Sequence, residues 1–311
     1  MNPQINIIVP LFNEEKVFPI LESRITKLLN DSSLSISVIL VDDGSKDNTP
    51  FLIHKLINKD KRFCGVILSR NFGHQIALTA AMIKVDASEA VMIIDGDLQD
   101  PPELLPDMYK LLGEGYDVVY AVREKRKESF VKVFFYKTFY RILKRISSID
   151  IPIDSGDFSL ISRRVIDVMN SMPEESRYLR GMRSWVGFNQ ISYKYHRPER
   201  EAGETQYSIK QLIKLALNGI FNFSEFPIKF ITSLGFFTIF ISVLYFLITL
   251  YKKFTSGYVP DGFTAIIFLI ILFGGVQLLS IGILGEYLLR VFFQVKKRPL
   301  FIIKDFIKND K

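Results

Sequence analysis

Five continuous apolar runs divide the first 123 residues, and each run ends in a polar turn. The runs are INIIVP, ISVILV, FCGVIL, EAVMII and YDVVYAV. Unbroken apolar runs, as opposed to alternating ones, are typical of strands covered on both faces. Helical patterns lie between them, over about 16–29, 49–58, 75–85 and 103–112. This alternation predicts a mostly parallel, Rossmann-like α/β sheet, in which ligands bind at the carboxyl ends of the strands.

Two later segments have the pattern of basic amphipathic helices. Over about 129–147 and over 206–226, apolar residues recur at helical spacing and lysine or arginine fills many of the remaining positions. Helices of this kind lie in the plane of a membrane interface. We therefore predict two interfacial helices, with ordinary packing against the sheet as the alternative.

Two long apolar runs without a charged residue lie near the C-terminus, over 230–251 and 263–285. Each has about the length that crosses the hydrocarbon core of a bilayer. A short, turn-rich linker joins them, so we predict a two-helix transmembrane hairpin. The hairpin is expected to cover 227–293, with spans at about 229–251 and 263–289.

The basic residues around this hairpin predict its orientation. Lysine and arginine outside the two runs outnumber Lys252 and Lys253 in the linker. Positive charge favours the cytoplasmic side. We predict a multi-pass protein of the inner (cytoplasmic) membrane whose catalytic domain, both termini and basic tail (294–311) are cytoplasmic.

The composition supports a membrane partner. Hydrophobic residues make up 48% of the chain, yet the net charge is +7. A basic chain with a clustered apolar end suits an anionic membrane surface, and we expect no nucleic-acid partner. The single cysteine, Cys64, excludes a disulfide within the chain and a cysteine-based metal site. His54, His74 and His196 stand in no ligand spacing, and we interpret them as structural or exposed.

Four carboxylates follow the fourth apolar run, in the sequence DGDLQDPPE. Asp95 and Asp97 flank Gly96, whose conformational freedom lets both side chains face one point. Mg²⁺ and Mn²⁺ prefer oxygen ligands and commonly bind one or two carboxylates together with substrate phosphates. We predict a metal site at Asp95 and Asp97 that would stabilise a diphosphate leaving group. A solvated acidic turn is the alternative.

Polar side chains also follow the first two runs, in VPLFNEE and VDDGSKDNT. Asp42 or Asp43 could accept hydrogen bonds from a base or ribose, and Asn13 and Glu14 lie at the neighbouring strand end. No G-x-G-x-x-G follows the first run and no P-loop motif occurs, which argues against dinucleotide and P-loop sites. A nucleotide across these ends with its phosphates at Asp97 is the expected arrangement.

These motifs together resemble the inverting family 2 glycosyltransferases with the GT-A fold. Further stretches resemble the polyprenyl-phosphate glycosyltransferases, relatives of dolichyl-phosphate mannose synthase and of the bactoprenol glucosyltransferases. They are DSGDFSLISR, YLRGMRSWVGF, RPEREAGETQYSIKQLIKLALNGIFNFS and the two apolar runs. The resemblance covers nearly the whole chain and implies a nucleotide-sugar-binding GT-A domain over 1–205.

The resemblance also implies roles for individual residues. The expected nucleoside contacts are Pro10, Asn13, Glu14 and Asp42. The expected metal and diphosphate contacts are Asp95, Asp97 and Gln99, with Mg²⁺ or Mn²⁺ as the cofactor. Arg123 and Arg200 match basic residues near the phosphates. The assigned acceptor contacts are Lys132, Arg197, Gln206 and Tyr207.

One position departs from the family pattern. Thr205 and Gln206 stand where the family often has Ser-Lys, so a cation near the leaving diphosphate or the acceptor is missing. Arg197, Arg200 or Lys132 would then supply that charge. The segment 177–181 and Trp185 are expected near the sugar or acceptor opening, with plain packing as the alternative.

Asp157 matches the carboxylate that is often discussed as the catalytic base, and with Asp97 and Arg200 it forms the expected catalytic set. A lipid monophosphate is already mostly dianionic at neutral pH. We therefore expect Asp157 to orient the acceptor, the sugar or a basic side chain. A general base and a turn carboxylate that caps the helix near Arg163 are the alternatives.

The implied activity is inverting transfer of a single hexose to undecaprenyl phosphate at the cytoplasmic face, with UDP-glucose as the expected donor. The lipid-linked sugar would serve cell-envelope glycan modification. A processive polysaccharide synthase is an alternative, although RGMRSWVG lacks its Q-x-x-R-W signature and two spans make a poor channel. A non-catalytic scaffold that recruits a flippase or a later glycosyltransferase is another. The sequence leaves open whether the chain also forms a homo-oligomer.

Overall fold

The computed structural model describes residues 2–123, 155–175, 177–195, 226–256 and 262–309. The chain divides into two compact units. One is an α/β unit that contains the N-terminal region and the residues from 299 onward, and the other is a helical unit formed mainly by residues 216–298.

One sheet of eight strands forms the centre of the described α/β unit. The strands are β1 (Ile5–Leu11), β2 (Ile36–Asp42), β3 (Phe63–Leu68), β4 (Ala90–Ile93), β5 (Val118–Arg123), β6 (Ser155–Ser162), β7 (Gln190–Tyr195) and β8 (Ile303–Lys308). Their order is β7-β5-β6-β4-β1-β2-β3-β8. Strands β6 and β8 are antiparallel to their neighbours, and the remaining pairs are parallel. The predicted mostly parallel α/β architecture is confirmed.

Helices connect these strands. In the α/β unit they are α1 (Phe18–Asp31), α2 (Thr49–Lys59), α3 (His74–Met82), α4 (Leu105–Gly113), α5 (Arg163–Ser171) and α6 (Leu179–Trp185). A 3-10 turn over Pro102–Leu104 precedes α4. The four predicted helical stretches agree with α1 to α4 within a few residues. The helical unit contains α7 (Phe226–Ser256) and α8 (Phe263–Lys296).

The hydrophobic core explains why the strands appear as unbroken apolar runs. Every residue of β1 is buried, because helices cover both faces of the sheet. Helix α1 contributes Phe18, Leu21 and Ile25, which are spaced to face one side. Each such buried side chain contributes about 1.5–3 kcal/mol. The packing therefore fixes the ends of the central strands, where the polar turns begin.

Strand β6 was not predicted, and its position matters for the site. It lies antiparallel between β4 and β5, with Ile93 opposite Ser159. Continuing that register by two residues brings Asp157 alongside Asp95. Asp157, more than sixty positions after Asp95 in the sequence, therefore lies at the edge of the sheet where β4 ends.

The C-terminal segment contains a strand that the sequence analysis did not predict. Residues 294–311 were expected to form a basic cytoplasmic tail, but Ile303–Lys308 form strand β8 beside β3. Ile307 packs against the core, and Lys308 pairs with Asp86 at 3.1 Å. An open edge of β3 would leave its backbone groups unpaired, and β8 satisfies them.

Among the described residues of the helical unit, one stretch is long and apolar enough to cross a membrane, Leu272–Lys296. A second apolar stretch, Phe230–Tyr245, is shorter. The first span of the predicted hairpin, at about 229–251, therefore stays a prediction. The predicted interfacial helices at about 129–147 and 206–226 lie, except for Phe226, outside the described residues.

Candidate active site

The carboxyl ends of the central parallel strands meet at one edge of the sheet. Strands β1 and β2 are paired as far as Leu11 and Asp42, and β1 pairs with β4 on its other side. The polar turns that follow these strands therefore lie side by side. This arrangement brings together three motifs that lie at separate places between residues 9 and 103 of the sequence.

The turn after β4 packs tightly against β1 at Gly96. A Cβ atom on Gly96 would lie 2.8 Å from the Pro10 carbonyl oxygen and 2.8 Å from Leu11 Cδ2. Pro10, which was predicted to contact the nucleoside, thus also supports the acidic turn. Leu98 follows with a φ of 60°, which bends the chain back. A side chain at position 96 would push this turn away from the sheet.

Backbone amides of the same turn bind its own carboxylates. The Gln99 amide donates to Asp97 Oδ1 at 3.1 Å, and the Asp95 amide donates to Asp100 Oδ2 at 3.3 Å. Asp100 is buried and accepts a hydrogen bond from the Tyr195 hydroxyl at 2.9 Å. The sequence analysis assigned Asp95, Asp97 and Gln99 but missed Asp100, which holds the turn in place.

Asp95 is the carboxylate with the most unusual surroundings. Its Oδ1 atom is buried and has no hydrogen-bond partner among the described residues. Burial raises the pKa of Asp95; His74 opposes this rise, whereas Asp157 and Asp97 add to it. An unsatisfied buried oxygen in a negative environment is suited to accept a cation.

The residues at this turn fit a divalent metal that is completed by a substrate. Within the described ranges, no group of three or more His, Cys, Asp or Glu side chains could hold a metal by itself. Asp95 and Asp97 supply two carboxylates, and Mg²⁺ is commonly held by one or two carboxylates together with substrate phosphates. The unsatisfied Asp95 Oδ1 agrees with such a site.

The turns after β1 and β2 are bound to each other. Asn13, at a φ of 55°, accepts a hydrogen bond on its side-chain oxygen from the Lys46 amide at 2.9 Å. The Asn13 amide donates to Ser45 Oγ at 2.9 Å. The Glu14 amide donates to Thr49 Oγ1 at 2.9 Å. The predicted nucleoside residues Asn13 and Glu14 are therefore held in one rigid double loop.

Asp42 and Asp43 are both buried, but they bind different partners. The Ser45 amide lies 3.2 and 3.3 Å from the two carboxylate oxygens of Asp42. Asp43 accepts hydrogen bonds from the amides of Phe72 at 2.7 Å and Gly73 at 2.9 Å. Burial raises the pKa of both carboxyl groups. Asp43 thus holds the loop after β3, and Asp42 is kept as the nucleoside candidate.

Asp157 lies near the start of β6 and is bound by a bidentate ion pair. Arg180 Nε lies 2.8 Å from Asp157 Oδ1, and Arg180 Nη2 lies 3.1 Å from Oδ2. Gln75 Nε2 donates to the same Oδ2 at 3.0 Å. Burial by itself would raise the pKa of Asp157, but Arg180 and His74 hold it well below its usual range. Asp157 is therefore a carboxylate, not a carboxylic acid.

His74 lies between the carboxylates of Asp157 and Asp95. Its Nε2 atom is 3.4 Å from Asp157 Oδ2 and 3.7 Å from Asp95 Oδ1. Burial lowers the pKa of His74, but Asp157 and Asp95 outweigh that effect and raise it to about 9. The sequence analysis interpreted His74 as structural or exposed. Its place directly after the third strand-end loop was the signal that could have linked it to the site.

A second buried arginine lies behind Asp157. Arg183 is almost fully buried, and its Nη2 atom is 3.5 Å from the Gly156 carbonyl oxygen. Burial lowers its pKa to about 10, while Asp157 opposes this effect. Trp185, expected near an opening, ends α6 with 58% of its surface exposed.

The remaining predicted residues are Arg123 and a group outside the described ranges. Arg123 is the last residue of β5, whose carboxyl end lies at the same edge as that of β4. The other predicted residues lie outside the described ranges, and they are Lys132, Arg197, Arg200, Gln206 and Tyr207.

Comparison with protein families decides which class of enzyme has this site. Residues 6–169 match the model described as Glycosyl transferase family 2. The chain belongs to glycosyltransferase family 2. The match begins at β1 and ends in α5, so it includes both acidic strand ends and Asp157.

Relatives of this family 2 glycosyltransferase match it over nearly the full length. It is 42% identical over 304 residues to the uncharacterized glycosyltransferase YkcC of Bacillus subtilis, covering 97% of this chain and 93% of that protein. It is 35% identical over 303 residues to the bactoprenol glucosyl transferase of Shigella phage SfV, covering 97% and 98%. A solved glucosyl-3-phosphoglycerate synthase from Mycobacterium tuberculosis aligns with a TM-score of 0.47 and 15% identity, over 70% of this chain and 77% of that one.

Proposed function

We propose that this family 2 glycosyltransferase transfers one hexose from UDP-glucose to undecaprenyl phosphate, with inversion at the sugar. The similarity to the Shigella phage bactoprenol glucosyl transferase over 97% of the chain carries the choice of sugar and lipid. The product would be a lipid-linked glucose for modification of cell-envelope glycans.

The donor would lie across the ends of β1, β2 and β4. Its nucleoside would contact the double loop of Asn13 and Asp42, and its diphosphate would lie at Asp95 and Asp97. A bound Mg²⁺ or Mn²⁺ would neutralise charge on the diphosphate as it leaves. Gln99 and Arg123 are the proposed further diphosphate contacts.

The reaction would be a single in-line displacement. A phosphate oxygen of the acceptor forms a bond to the sugar C1, the bond from C1 to the UDP oxygen breaks, and UDP leaves with the electron pair. Because the acceptor phosphate is already mostly dianionic at neutral pH, no proton has to be removed from it. Holding the two reactants in line can supply much of the rate enhancement.

The acceptor requires the enzyme to act at a membrane surface. Leu272–Lys296 is long and apolar enough to span a bilayer, and α7 adds an apolar stretch over Phe230–Tyr245. We propose that α7 and α8 form a two-span hairpin with both ends in the cytoplasm. Lys132, Arg197, Arg200, Gln206 and Tyr207 are the proposed contacts to the acceptor and the phosphates.

A donor panel tests this function. The purified chain in vesicles that contain undecaprenyl phosphate is incubated with Mn²⁺ and radiolabelled UDP-glucose, UDP-galactose, UDP-N-acetylglucosamine or GDP-mannose. We expect a labelled lipid bearing one sugar, formed fastest from UDP-glucose and abolished by EDTA.

Each other outcome points to a different function. A labelled lipid from another donor would change the sugar but keep the reaction. A long labelled polymer would indicate a processive synthase. Donor binding without any product, under every pairing, would refute the transferase proposal and favour a scaffold that recruits a flippase or a later glycosyltransferase.

A further inference from the structure

We propose that Asp157 does not accept a proton, and that His74, Gln75 and Arg180 fix it as a carboxylate that positions Asp95. We call these three side chains the Asp157 clamp. The inference rests on the proposed function, because it specifies how one carboxylate of the same site works.

The first argument is the number of acceptor positions on Asp157. A carboxylate offers about four lone-pair positions. Four nitrogen contacts surround this one: Arg180 Nε on Oδ1, and Arg180 Nη2, Gln75 Nε2 and His74 Nε2 on Oδ2. The side chain is 7% exposed. A general base needs a lone pair that points at the substrate, but Oδ2 already has three nitrogen contacts, and Oδ1 is paired with Arg180 Nε on a side chain with little exposed surface.

The second argument is that the clamp is itself held. Gln75 donates to Asp157 through Nε2, and its Oε1 accepts a hydrogen bond from the Leu179 amide at 2.9 Å. Gln75 therefore links α3 to the start of α6, where Arg180 lies next in the sequence. Fixed at both ends, the amide cannot turn away to release a lone pair of Asp157 without breaking a second hydrogen bond.

The third argument connects Asp157 with the donor side of the site. His74 Nε2 is 3.4 Å from Asp157 and 3.7 Å from Asp95 Oδ1, the oxygen without a hydrogen-bond partner among the described residues. A side chain in contact with both carboxylates transmits the position of one to the other. His74 and Arg180 are thus positioning residues that act through Asp157 and Asp95.

A double-mutant cycle tests whether Asp157 acts through Arg180. We expect Asp157→Ala and Arg180→Ala each to lower kcat/KM by roughly 100-fold, and the double variant to fall no more than about 3-fold below the worse single variant. Asp60 and Arg62 form a matched control pair, bidentate at 3.0 and 2.7 Å at the surface. Their cycle should leave turnover unchanged.

Three results would overturn the clamp. If Asp157→Ala loses turnover while Arg180→Ala keeps it, or if the two losses multiply, Asp157 acts independently of Arg180. If formate or azide restores turnover to Asp157→Ala, the lost group was a base. Thermal unfolding of each variant shows whether it folds. If Asp157→Ala does not fold, Asp157→Asn takes its place in the cycle.

A binding experiment tests the link to Asp95 without turnover. We expect His74→Gln to weaken UDP binding in the presence of Mn²⁺ by roughly 10-fold, measured by calorimetry, and to leave the KM for the lipid unchanged. His54→Gln, on the exposed side of α2, is the matched control. UDP binding within twofold of the unaltered chain would overturn the link. Absence of lipid product from the unaltered chain would refute the proposed function instead, and the binding result would still stand.

Discussion

Two strand ends in this glycosyltransferase have almost the same sequence pattern but different chemistry. At the end of β2, Asp43 receives two backbone amides from the loop after β3, at 2.7 and 2.9 Å. At the end of β4, Asp95 keeps a buried oxygen that accepts no hydrogen bond from the described residues. Both carboxylates follow buried apolar strands, so the sequence pattern alone does not distinguish them.

The difference arises from the neighbouring loop. The loop after β3 passes so close to the turn after β2 that a Cβ atom on Gly44 would lie 2.3 Å from the Arg70 carbonyl carbon. Gly44 has a φ of 70°, which glycine adopts without strain. At β4, the amides of the acidic turn bind Asp97 and Asp100 and leave Asp95 Oδ1 unsatisfied. The proposed metal site is therefore distinguished by the acceptor oxygen that the fold leaves open, and not by the number of carboxylates.

The largest expected effect is on catalysis at β4. Replacing Asp97 with alanine should lower kcat/KM by about 10³-fold, because the diphosphate loses a cation ligand at the moment its charge develops. The midpoint of thermal unfolding should stay close to that of the unaltered chain. Asp31→Ala, an exposed carboxylate at the end of α1, is the control. If Asp97→Ala retained turnover, the proposed metal site at the end of β4 would be refuted, and the contrast with the end of β2 would be lost.

The opposite pattern is expected at β2. Asp43→Ala should lower the free energy of unfolding by about 2–4 kcal/mol, since two charge-assisted hydrogen bonds are lost and two amides are left unpaired. Turnover should stay within about tenfold of the unaltered chain at a temperature where the variant is folded. Thermal unfolding in detergent and the transfer assay measure the two quantities. A variant as inactive as Asp97→Ala but equally stable would remove the contrast between the two strand ends.

The smallest effect concerns the loop that supplies Asp43 with its amides. Ser69, at the start of that loop, donates its amide to the Ile302 carbonyl oxygen just before β8. Cys64 lies opposite Lys308 on the paired strands. Burial raises the pKa of the Cys64 thiol to about 12, so at pH 8 a maleimide should react roughly 10³-fold more slowly than with a free thiol.

A variant in β8 sharpens this measurement. Ile307→Asp should loosen β8 and speed the labelling of Cys64, with a modest loss of stability. It should not reproduce the loss of kcat/KM expected for Asp97→Ala. Labelling of the unaltered chain at the rate of a free thiol would show that β8 does not protect β3. Unfolding in denaturant gives the reference rate for the same thiol.

The sequence was sufficient for the parts of the fold that depend on local patterns. Unbroken apolar runs predicted β1 to β5, and the motif around Gly96 predicted where the acidic turn lies. Strand β6 was missed because its insertion between β4 and β5 depends on pairing with distant residues. Strand β8 was missed because its lysines were interpreted as a tail.

The site was predicted in the same uneven way. Asp95, Asp97 and Asp42 could be named because each directly follows an apolar run. Gln75 was not named, since it is an ordinary polar residue near the start of a helix. Arg180 was expected near the sugar or acceptor opening as part of the segment 177–181, but its pairing with Asp157 was not predicted, because Asp157 lies on a different element. The contact between them exists only after the sheet has ordered three separate segments.

Strand β8 also affects the order in which the chain can fold. The Asn309 side chain donates to the Ile57 carbonyl oxygen, 252 positions earlier in the chain. During synthesis, the edge of β3 therefore stays unpaired until the whole helical unit has been made. Pairing of strands over such a sequence separation is also slow. A chain cut after α8 would keep every proposed donor contact and still expose a strand edge prone to aggregation. Yield and solubility, more than turnover, would then be the first properties to fail.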